Sequence, residues 1–321
     1  SIVNRRQSDI TAKSSGVFYT SDGRDIEMSV ASTKAFYAQI IAGQLLGLFF
    51  AQILGSQTDN DIATILTHLE SAPELMDRIF ERREAIAASV KATAGKKYWA
   101  IVGSGPNKAA ADEIRIKLSE LCYKTISSDI VENKKHIDLS AEPLILVCAS
   151  GNPDAVGEDV AKDTAIFKAH KAAVIVFADE GDSRFDEVAD AVIGIPAALD
   201  PLPVILNTMA GHLWGYYAAL AIDKEAQIFR EFRGRLSCEL THRMPGNLSI
   251  LDMIADASLH RLINQFYILF NTHRQNNAFT ELSSGTIVDL LLLLKYTTGR
   301  LPLRDFEQDF KNEKGHFSPF E

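Results

Sequence analysis

The sequence contains few cysteines, and their number and positions limit what kind of protein this is. Cys122, Cys148 and Cys238 are the only three in 321 residues. Each lies in or beside an apolar run, none stands at the paired spacing of a metal site, and an odd number leaves at least one unpaired. We therefore expect no disulfide scaffold, no bound metal and a reducing, cytoplasmic location.

Basic residues are also scarce relative to acidic ones. The chain has 33 Lys and Arg residues against 42 Asp and Glu residues, and its formal net charge is −9. A duplex-binding surface needs clustered basic side chains to neutralise phosphates, so nucleic acid is not an expected partner. A small anionic ligand is compatible with this charge, because one helix amino terminus and a few hydroxyls can hold a phosphate.

No segment is dominated by proline, glycine or serine repeats, which excludes a fibrous or wholly disordered chain. A hydrophobic fraction of 46% over 321 residues allows two compact units, each with a core of its own. The sequence begins Ser-Ile-Val-Asn-Arg-Arg, without a starting Met and without an apolar signal core. We expect it to be a piece of a longer protein.

Residues 35–58 contain no charged side chain, and a run of that length must be considered as a membrane span. The polar side chains of Gln39, Gln44 and Gln52 argue against a span. A helix that is apolar nearly all round is also typical of a protein core or a dimer interface. We therefore expect a core or interface helix, a homodimer and no membrane association.

Short apolar runs separated by helical stretches indicate the fold. Alternating strands and helices predict a parallel sheet covered on both faces, which is a doubly wound α/β domain. The apolar runs are residues 98–102, 144–148, 173–177 and 191–195. Around them the sequence predicts a short strand at 16–20, a helix from Ser32 or Thr33, helical residues 58–94 broken near Pro73, a closing helix at 203–222, and only helices after 235.

A glycine pair follows the first apolar run of this domain. Gly103-Ser104-Gly105 suggests a dinucleotide-binding turn, but Lys108 stands where the third glycine of that fingerprint belongs. A plain strand-to-helix turn is the better interpretation, and we expect no bound cofactor.

Three charged residues in the following helix share one face. Glu113, Lys117 and Glu120 stand at positions i, i+4 and i+7. Spacing alone favours a surface ion-pair ladder, whereas a carboxylate and an amine at the mouth of the sheet could move protons. His136 lies in a polar stretch, 133–138, where a solvated loop histidine is the ordinary interpretation.

Two motifs resemble the sugar isomerase (SIS) domains of glucosamine-6-phosphate synthases. Residues 29–36, Ser-Val-Ala-Ser-Thr-Lys-Ala-Phe, are close to the GVASTKAF signature at the end of that family's first SIS domain. Glu113-x3-Lys117-x2-Glu120-x2-Tyr123 is similar to the E-x3-K-x2-E-x2-Y motif of its second domain, and His136 follows Glu120 by the family's sixteen residues. The resemblance runs from Ser1 to about residue 223.

The resemblance implies an α/β fold of SIS type, a sugar phosphate of the fructose 6-phosphate class as ligand, and a homodimer. It divides the chain into the tail of a first SIS domain at 1–57, a helical connector at 58–95, a second SIS domain at 96–235, and a helical segment of unknown role at 236–321. It implies that Glu120 is the base of an aldose–ketose shift and that His136 assists ring opening, reaching the neighbouring subunit's site. Lys117 and Glu113 would set charge states and hold the substrate, and Glu27, Val30, Ala31 and Ser32 would contact the sugar.

Several features depart from the family pattern. Ile137 and Asp138 replace the Gly-Pro that usually follows the histidine, and no lysine after residue 223 matches the family's Schiff-base lysine. The family's Ser/Thr phosphate loop would precede Ser1, so we expect the chain by itself to bind sugar phosphates weakly and to lack isomerase activity. Three functions stay open: the isomerase part of a glutamine-dependent aminotransferase, a deglycase or isomerase without a glutaminase, and a non-catalytic phosphosugar-binding module.

Overall fold

The computed structural model describes residues 1–21, 31–136, 139–243, 255–279 and 282–310. The chain divides into two compact units, Ser1–Ala221 and Ile222–Glu321. The finer division at residues 57, 95 and 235 stays a prediction.

The first unit opens with two very short parallel strands, β1 (Ile2–Val3) and β2 (Phe18–Tyr19), which flank helix α1 (Asp9–Lys13). The strand predicted at 16–20 is therefore present. Helix α2 (Lys34–Leu54) begins after Thr33 and ends at Gly55, whose φ of 64° is the left-handed conformation that glycine adopts at low cost. This start agrees with the predicted helix beginning at Ser32 or Thr33.

Helix α2 buries little of its apolar surface within the described chain. Ala42 and Leu48 are buried, whereas Phe49, Ile53 and Leu54 are more than half exposed. By length and composition alone α2 could cross a membrane, and 11% of its most apolar window is buried. Helix α2 thus does not occupy a core position within the described residues. Its alternative role, as part of a dimer interface, stays a prediction.

Three helices join α2 to the sheet: α3 (Asp59–Glu70), α4 (Ala72–Glu81) and α5 (Arg83–Thr93). Thr58 and Asp61 form a reciprocal capping box at the start of α3, so two of the otherwise unpaired backbone groups there are satisfied. Pro73 lies in the first turn of α4, where its missing N–H costs nothing. The break predicted near Pro73 therefore lies at Ser71.

A five-stranded parallel sheet forms the centre of the first unit. Its strands are β3 (Trp99–Gly103), β4 (Ile126–Asp129), β5 (Leu144–Cys148), β6 (Ala173–Asp179) and β7 (Ala191–Ile195), in the order β4-β3-β5-β6-β7. Every residue of β3 and β5 is buried, as expected for central strands covered on both faces. The connecting helices are α6 (Asn107–Cys122), α7 (Val131–Lys134) and α8 (Asp154–Ala169). The predicted doubly wound α/β fold is confirmed, although the edge strand β4 was not predicted.

The last helix of the sheet domain is longer than predicted. Helix α9 (Leu202–Arg243) begins where the sequence indicates but does not end at residue 222. Residues 222–243 contain no proline and a single glycine, Gly234, and are mostly good helix formers, so nothing in them terminates the helix. The boundary between the two units falls within α9.

The second unit is helical in its described part, which confirms the predicted helical segment. It contains α10 (Ala257–Gln275), α11 (Ser284–Thr297) and α12 (Phe306–Asp309). Its core is rich in aromatic rings: Phe266 stacks on Phe232 with ring centroids 3.9 Å apart, and Phe270 stacks on Phe279 at 5.0 Å. This unit thus has a hydrophobic core of its own.

Candidate active site

The motif of helix α6 brings two carboxylates to one buried amine. Lys117 Nζ lies 3.4 Å from Glu113 Oε1 and donates to Glu120 Oε2 at 3.0 Å. The side chains are 5% exposed for Lys117, 11% for Glu113 and 29% for Glu120. A surface ion-pair ladder is therefore the wrong interpretation: the lysine and one carboxylate are buried, and only Glu120 presents a substantial part of its side chain to solvent.

These three residues do not lie at the mouth of the sheet, contrary to the expectation from sequence. Glu120 stands in the last turn of α6, thirteen residues after the helix begins at Asn107, which corresponds to about 20 Å along the axis. Because α6 starts at the carboxyl edge of β3 and runs back along the sheet, its charged face lies on the flank of the domain. The neighbours of this face are residues of α9 and α2.

Two glycines allow α9 to approach α6 closely. A Cβ atom at Gly211 would lie 2.3 Å from Cδ1 of Ile114, and one at Gly215 would lie 2.8 Å from Cδ1 of Leu118. Real Cβ atoms are not found at such distances, so any side chain there would displace Ile114 or Leu118 or push the helices apart. The close approach carries His212, which is 8% exposed, to the charged face of α6.

His212 links Glu113 to a tyrosine on helix α2. Its Nε2 lies 3.4 Å from Glu113 Oε1, and its Nδ1 lies 2.6 Å from the Tyr37 hydroxyl. Burial, and secondly the negative charge of Glu113, raise the pKa of the Tyr37 phenol well above its usual range. Tyr37 thus remains a hydrogen-bond donor at physiological pH. The contacts form a continuous series through three helices: Tyr37, His212, Glu113, Lys117, Glu120.

The other predicted site residues lie apart from this series or outside the described residues. His136 is exposed and follows α7, and among the described residues no hydrogen bond or ion pair joins its ring to the charged face of α6. Ala31 and Ser32 are half-buried and directly precede α2, which places them within two turns of Tyr37. Glu27 and Val30 lie outside the described residues.

Tyr37 and His212 were not predicted from the sequence as site residues. Tyr37 directly follows the Ser-Val-Ala-Ser-Thr-Lys-Ala-Phe string, and His212 interrupts an otherwise apolar stretch of the closing helix. A single titratable residue on an apolar helix is a weak signal, because a core histidine with satisfied hydrogen bonds looks the same. Only the fold brings these two residues together.

The carboxyl edge of the sheet is occupied by one of the protein's own carboxylates. Ser150 Oγ donates to Asp179 Oδ1 at 2.6 Å, and the backbone N–H of Gly151 donates to both Asp179 oxygens at 3.1 Å. The adjoining pocket, of about 510 Å³, is lined mainly by acidic side chains, including those of Asp154 and Glu158, and the one cation among its described lining residues, Arg184, is paired with Asp182. A phosphate would meet filled donors and negative charge there.

Within the described parts of the chain, no group of three or more His, Cys, Asp or Glu side chains is arranged to hold a metal ion. None of the three cysteines forms a disulfide. Complete burial raises the pKa of the Cys148 thiol far above its usual range, so that side chain cannot serve as a thiolate nucleophile. The chemistry of the site therefore rests on carboxylates, an amine, an imidazole and a phenol.

Comparison with known proteins finds relatives among the glutamine–fructose-6-phosphate aminotransferases. No family model matches the chain. It is 28% identical over 225 residues to the glutamine–fructose-6-phosphate aminotransferase (isomerizing) of Corynebacterium glutamicum, covering 68% of this chain and 36% of the relative. The enzyme of the same name from Caldanaerobacter subterraneus subsp. tengcongensis is 29% identical over 228 residues, covering 71% and 37%. The chain thus spans little more than a third of these relatives.

Among solved structures, the fold matches the C-terminal domain of glucosamine-fructose-6-phosphate aminotransferase from Francisella tularensis. The TM-score is 0.62 with 22% sequence identity, covering 68% of this chain and 61% of that one. The resemblance to the SIS domains of these aminotransferases, stated from two motifs, is confirmed by the similarity in sequence and in fold.

Proposed function

We propose that this chain, a relative of the glutamine–fructose-6-phosphate aminotransferases with an SIS fold, is the phosphosugar isomerase part of such an enzyme. It isomerises the ketose fructose 6-phosphate to the aldose level, and in the whole enzyme ammonia released by a glutaminase domain replaces the carbonyl oxygen, which leaves as water, to give glucosamine 6-phosphate. The observation that carries the proposal is the position of Lys117: a buried amine is held between a buried carboxylate and one that reaches solvent. Such an arrangement holds one carboxylate in place beside an amine and leaves it accessible to a substrate, which is what a reversible proton shuttle requires.

Glu120 is the base in this mechanism. Its Oε2 accepts from Lys117 at 3.0 Å, and we assign its other oxygen to the proton transfer. The carboxylate takes a proton from C1 while the C2 carbonyl oxygen is protonated, which gives an ene-diol. It then returns the proton to C2 while the C1 hydroxyl loses its proton and becomes the aldehyde carbonyl. Glu113 balances the charge of Lys117 from the buried side. One base serves both carbons, because both transfers of the carbon-bound proton occur on one face of the intermediate.

His136 is assigned to ring opening, for which an imidazole is suited because it can both donate and accept a proton. Its exposed position after α7 is compatible with a role in the site of a neighbouring subunit, as the resemblance implies. The exposed apolar residues of α2, among them Phe49 and Ile53, are proposed to form part of a homodimer interface. A cytoplasmic location is proposed for the same protein.

Sugar contacts are assigned to Ala31 and Ser32, together with Val30 and Glu27. The phosphate is assigned to the Ser/Thr loop of a first SIS domain, because the Ser150 hydroxyl and the Gly151 N–H at the carboxyl edge of the present sheet are already bound to Asp179. Fructose 6-phosphate would thus be held with its reacting carbons at the flank of α6.

Substitution of Glu120 by Gln in the full-length protein tests the proposal. We expect turnover to fall by at least about 100-fold while affinity for fructose 6-phosphate changes little, because only a proton acceptor is removed. Asp112→Asn is the matched control, since Asp112 is an exposed carboxylate on the same helix, paired with Lys108. A Glu120→Gln variant that keeps more than about a tenth of the wild-type rate would exclude Glu120 as the base.

A further inference from the structure

Two buried polar atoms face each other in the series of contacts described above. His212 Nε2 and Glu113 Oε1 are 3.4 Å apart without a hydrogen bond between them; Nε2 has no hydrogen-bond partner among the described residues, and Glu113 Oε1 is held by its ion pair with Lys117 at 3.4 Å. An unpaired buried nitrogen is costly, and Nε2, which faces a carboxylate oxygen, forms a hydrogen bond with it after a small adjustment. The pair is a donor and an acceptor only if the proton of the His212 ring is on Nε2.

The tyrosine on α2 contacts the other nitrogen of the ring. Tyr37 keeps its proton at physiological pH, because burial and the charge of Glu113 disfavour its anion, and its hydroxyl, 2.6 Å from Nδ1, can donate to that atom. When the hydroxyl donates, Nδ1 carries no proton of its own. A neutral ring protonated on Nε2 presents an N–H to Glu113 and the lone pair of Nδ1 to Tyr37, so both contacts are satisfied at once.

We propose that Tyr37 and His212 are positioning residues for the isomerase site: they fix the orientation of Glu113, which in turn keeps Lys117 directed at Glu120. This inference rests on the proposed function and extends it to two residues on two other helices. It also gives the start of α2 a second role, because the segment assigned to sugar contact, Ala31 and Ser32, is tied through Tyr37 to the helix that carries the base.

The titratable groups around His212 are few and define the variants to be made. Tyr37 faces it from α2, and Glu113 faces it from α6 with Lys117 behind. The Phe36 ring lies edge-on with its centroid 6.4 Å from that of His212 and contributes no charge. Tyr37→Phe removes one hydroxyl and leaves the ring in place. His212→Gln keeps a polar side chain, but an amide has no ring tautomers for Tyr37 to select.

The first measurement does not depend on activity. The ¹⁵N chemical shifts of the His212 ring, assigned by comparison with His212→Gln, report which nitrogen carries the proton. We expect Nε2 to be protonated in the wild type and a mixture of tautomers in Tyr37→Phe. The control is Tyr216→Phe, because Tyr216 is an exposed tyrosine on α9. A ring protonated on Nδ1 in the wild type, or no change in Tyr37→Phe, would overturn the inference.

The second measurement separates positioning from mere packing. In the full-length protein, Tyr37→Phe and His212→Gln are each expected to lower kcat about 10-fold with KM changed less than about twofold, since misplacement of a catalytic group costs rate more than binding. The double variant should be no slower than the slower single variant, because both act through Glu113. Unchanged kcat, or losses that multiply, would contradict the proposal.

The two hypotheses fail in different ways. If the wild type converts no sugar phosphate, the proposed function is refuted, whereas the ¹⁵N shifts still decide whether Tyr37 sets the tautomer of His212. If the wild type is active and Glu120→Gln is not, but Tyr37→Phe is fully active, the function stands and the positioning role is wrong.

Discussion

Replacing Lys117 by Met would test whether the charged face of α6 is a buried unit. The substitution keeps a similar volume and removes the positive charge from between two carboxylates. Removing one partner of a buried ion pair costs about 3–5 kcal/mol, because the remaining charge is left uncompensated. Glu113 keeps His212 as a polar neighbour at 3.4 Å, and Glu120 can be hydrated, so we expect the lower end, about 3 kcal/mol.

The matched control lies on the same helix. Lys108 and Asp112 are also paired at i, i+4, but their side chains are 30% and 49% exposed. An exposed pair of this kind contributes at most about 0.5 kcal/mol, so Lys108→Met should be nearly neutral. The two variants share the helix and the substitution, and they differ in burial and in the second carboxylate, Glu120, that pairs with Lys117.

The assay is urea unfolding followed by tryptophan fluorescence. Both tryptophans, Trp99 and Trp214, are buried in the first compact unit, so their emission reports on the unit that contains the site. A loss of about 3 kcal/mol is a large fraction of the 5–15 kcal/mol stability of an ordinary domain. If Lys117→Met and Lys108→Met were equally stable, Lys117 would not hold together a buried charge cluster.

Three further predictions concern the helices around the site and the assembly. Gly211→Ala should destabilise the first unit by about 1–3 kcal/mol, because the new Cβ would lie 2.3 Å from Ile114. Gly43→Ala on α2, where a Cβ has nothing within 4 Å, should stabilise the unit by about 0.5–1 kcal/mol. Urea unfolding measures both effects, and equal effects would refute close packing of α6 and α9. Tyr37 has a raised pKa in the folded state, so its contribution to stability is complete below the unfolded pKa near 10 and is lost as pH rises above that value. Between pH 9 and 11 the free energy of unfolding should therefore fall more steeply for the wild type than for Tyr37→Phe. Parallel pH profiles of the two proteins would contradict this. Mixed dimers of Glu120→Gln and His136→Ala chains should regain part of the activity if His136 serves the neighbouring subunit, and verified heterodimers without any recovery would exclude a shared site.

Much of the fold could be predicted because the strands are continuous apolar runs. Strands β3, β5 and β6 are central and buried, so their sequences carry the signal of a parallel sheet. Strand β4 has the sequence Ile-Ser-Ser-Asp and lies at the edge of the sheet, where its side chains are less buried. It therefore lacks the continuous apolar run that marks the central strands. The predicted end of α9 at residue 222 was wrong because residues 222–243 contain no proline or other local signal that terminates a helix.

The site could be predicted only as far as its residues are close in sequence. The spacing of Glu113, Lys117 and Glu120 placed them on one helical face, which is correct. Their burial could not be predicted, because it depends on how closely α9 packs at Gly211 and Gly215. The contact between Tyr37 and His212 joins residues 175 positions apart, and no local pattern contains that information.

The most direct test of the proposed chemistry is proton exchange at the sugar. Fructose 6-phosphate would be incubated with the full-length protein in D₂O, and deuterium at the carbons adjacent to the carbonyl would be followed by NMR. If Glu120 shuttles the proton, the wild type and Asp112→Asn should incorporate deuterium, while Glu120→Gln should do so at least about 100-fold more slowly. Exchange that continues at the wild-type rate in Glu120→Gln, or that is absent from the wild type, would contradict the account.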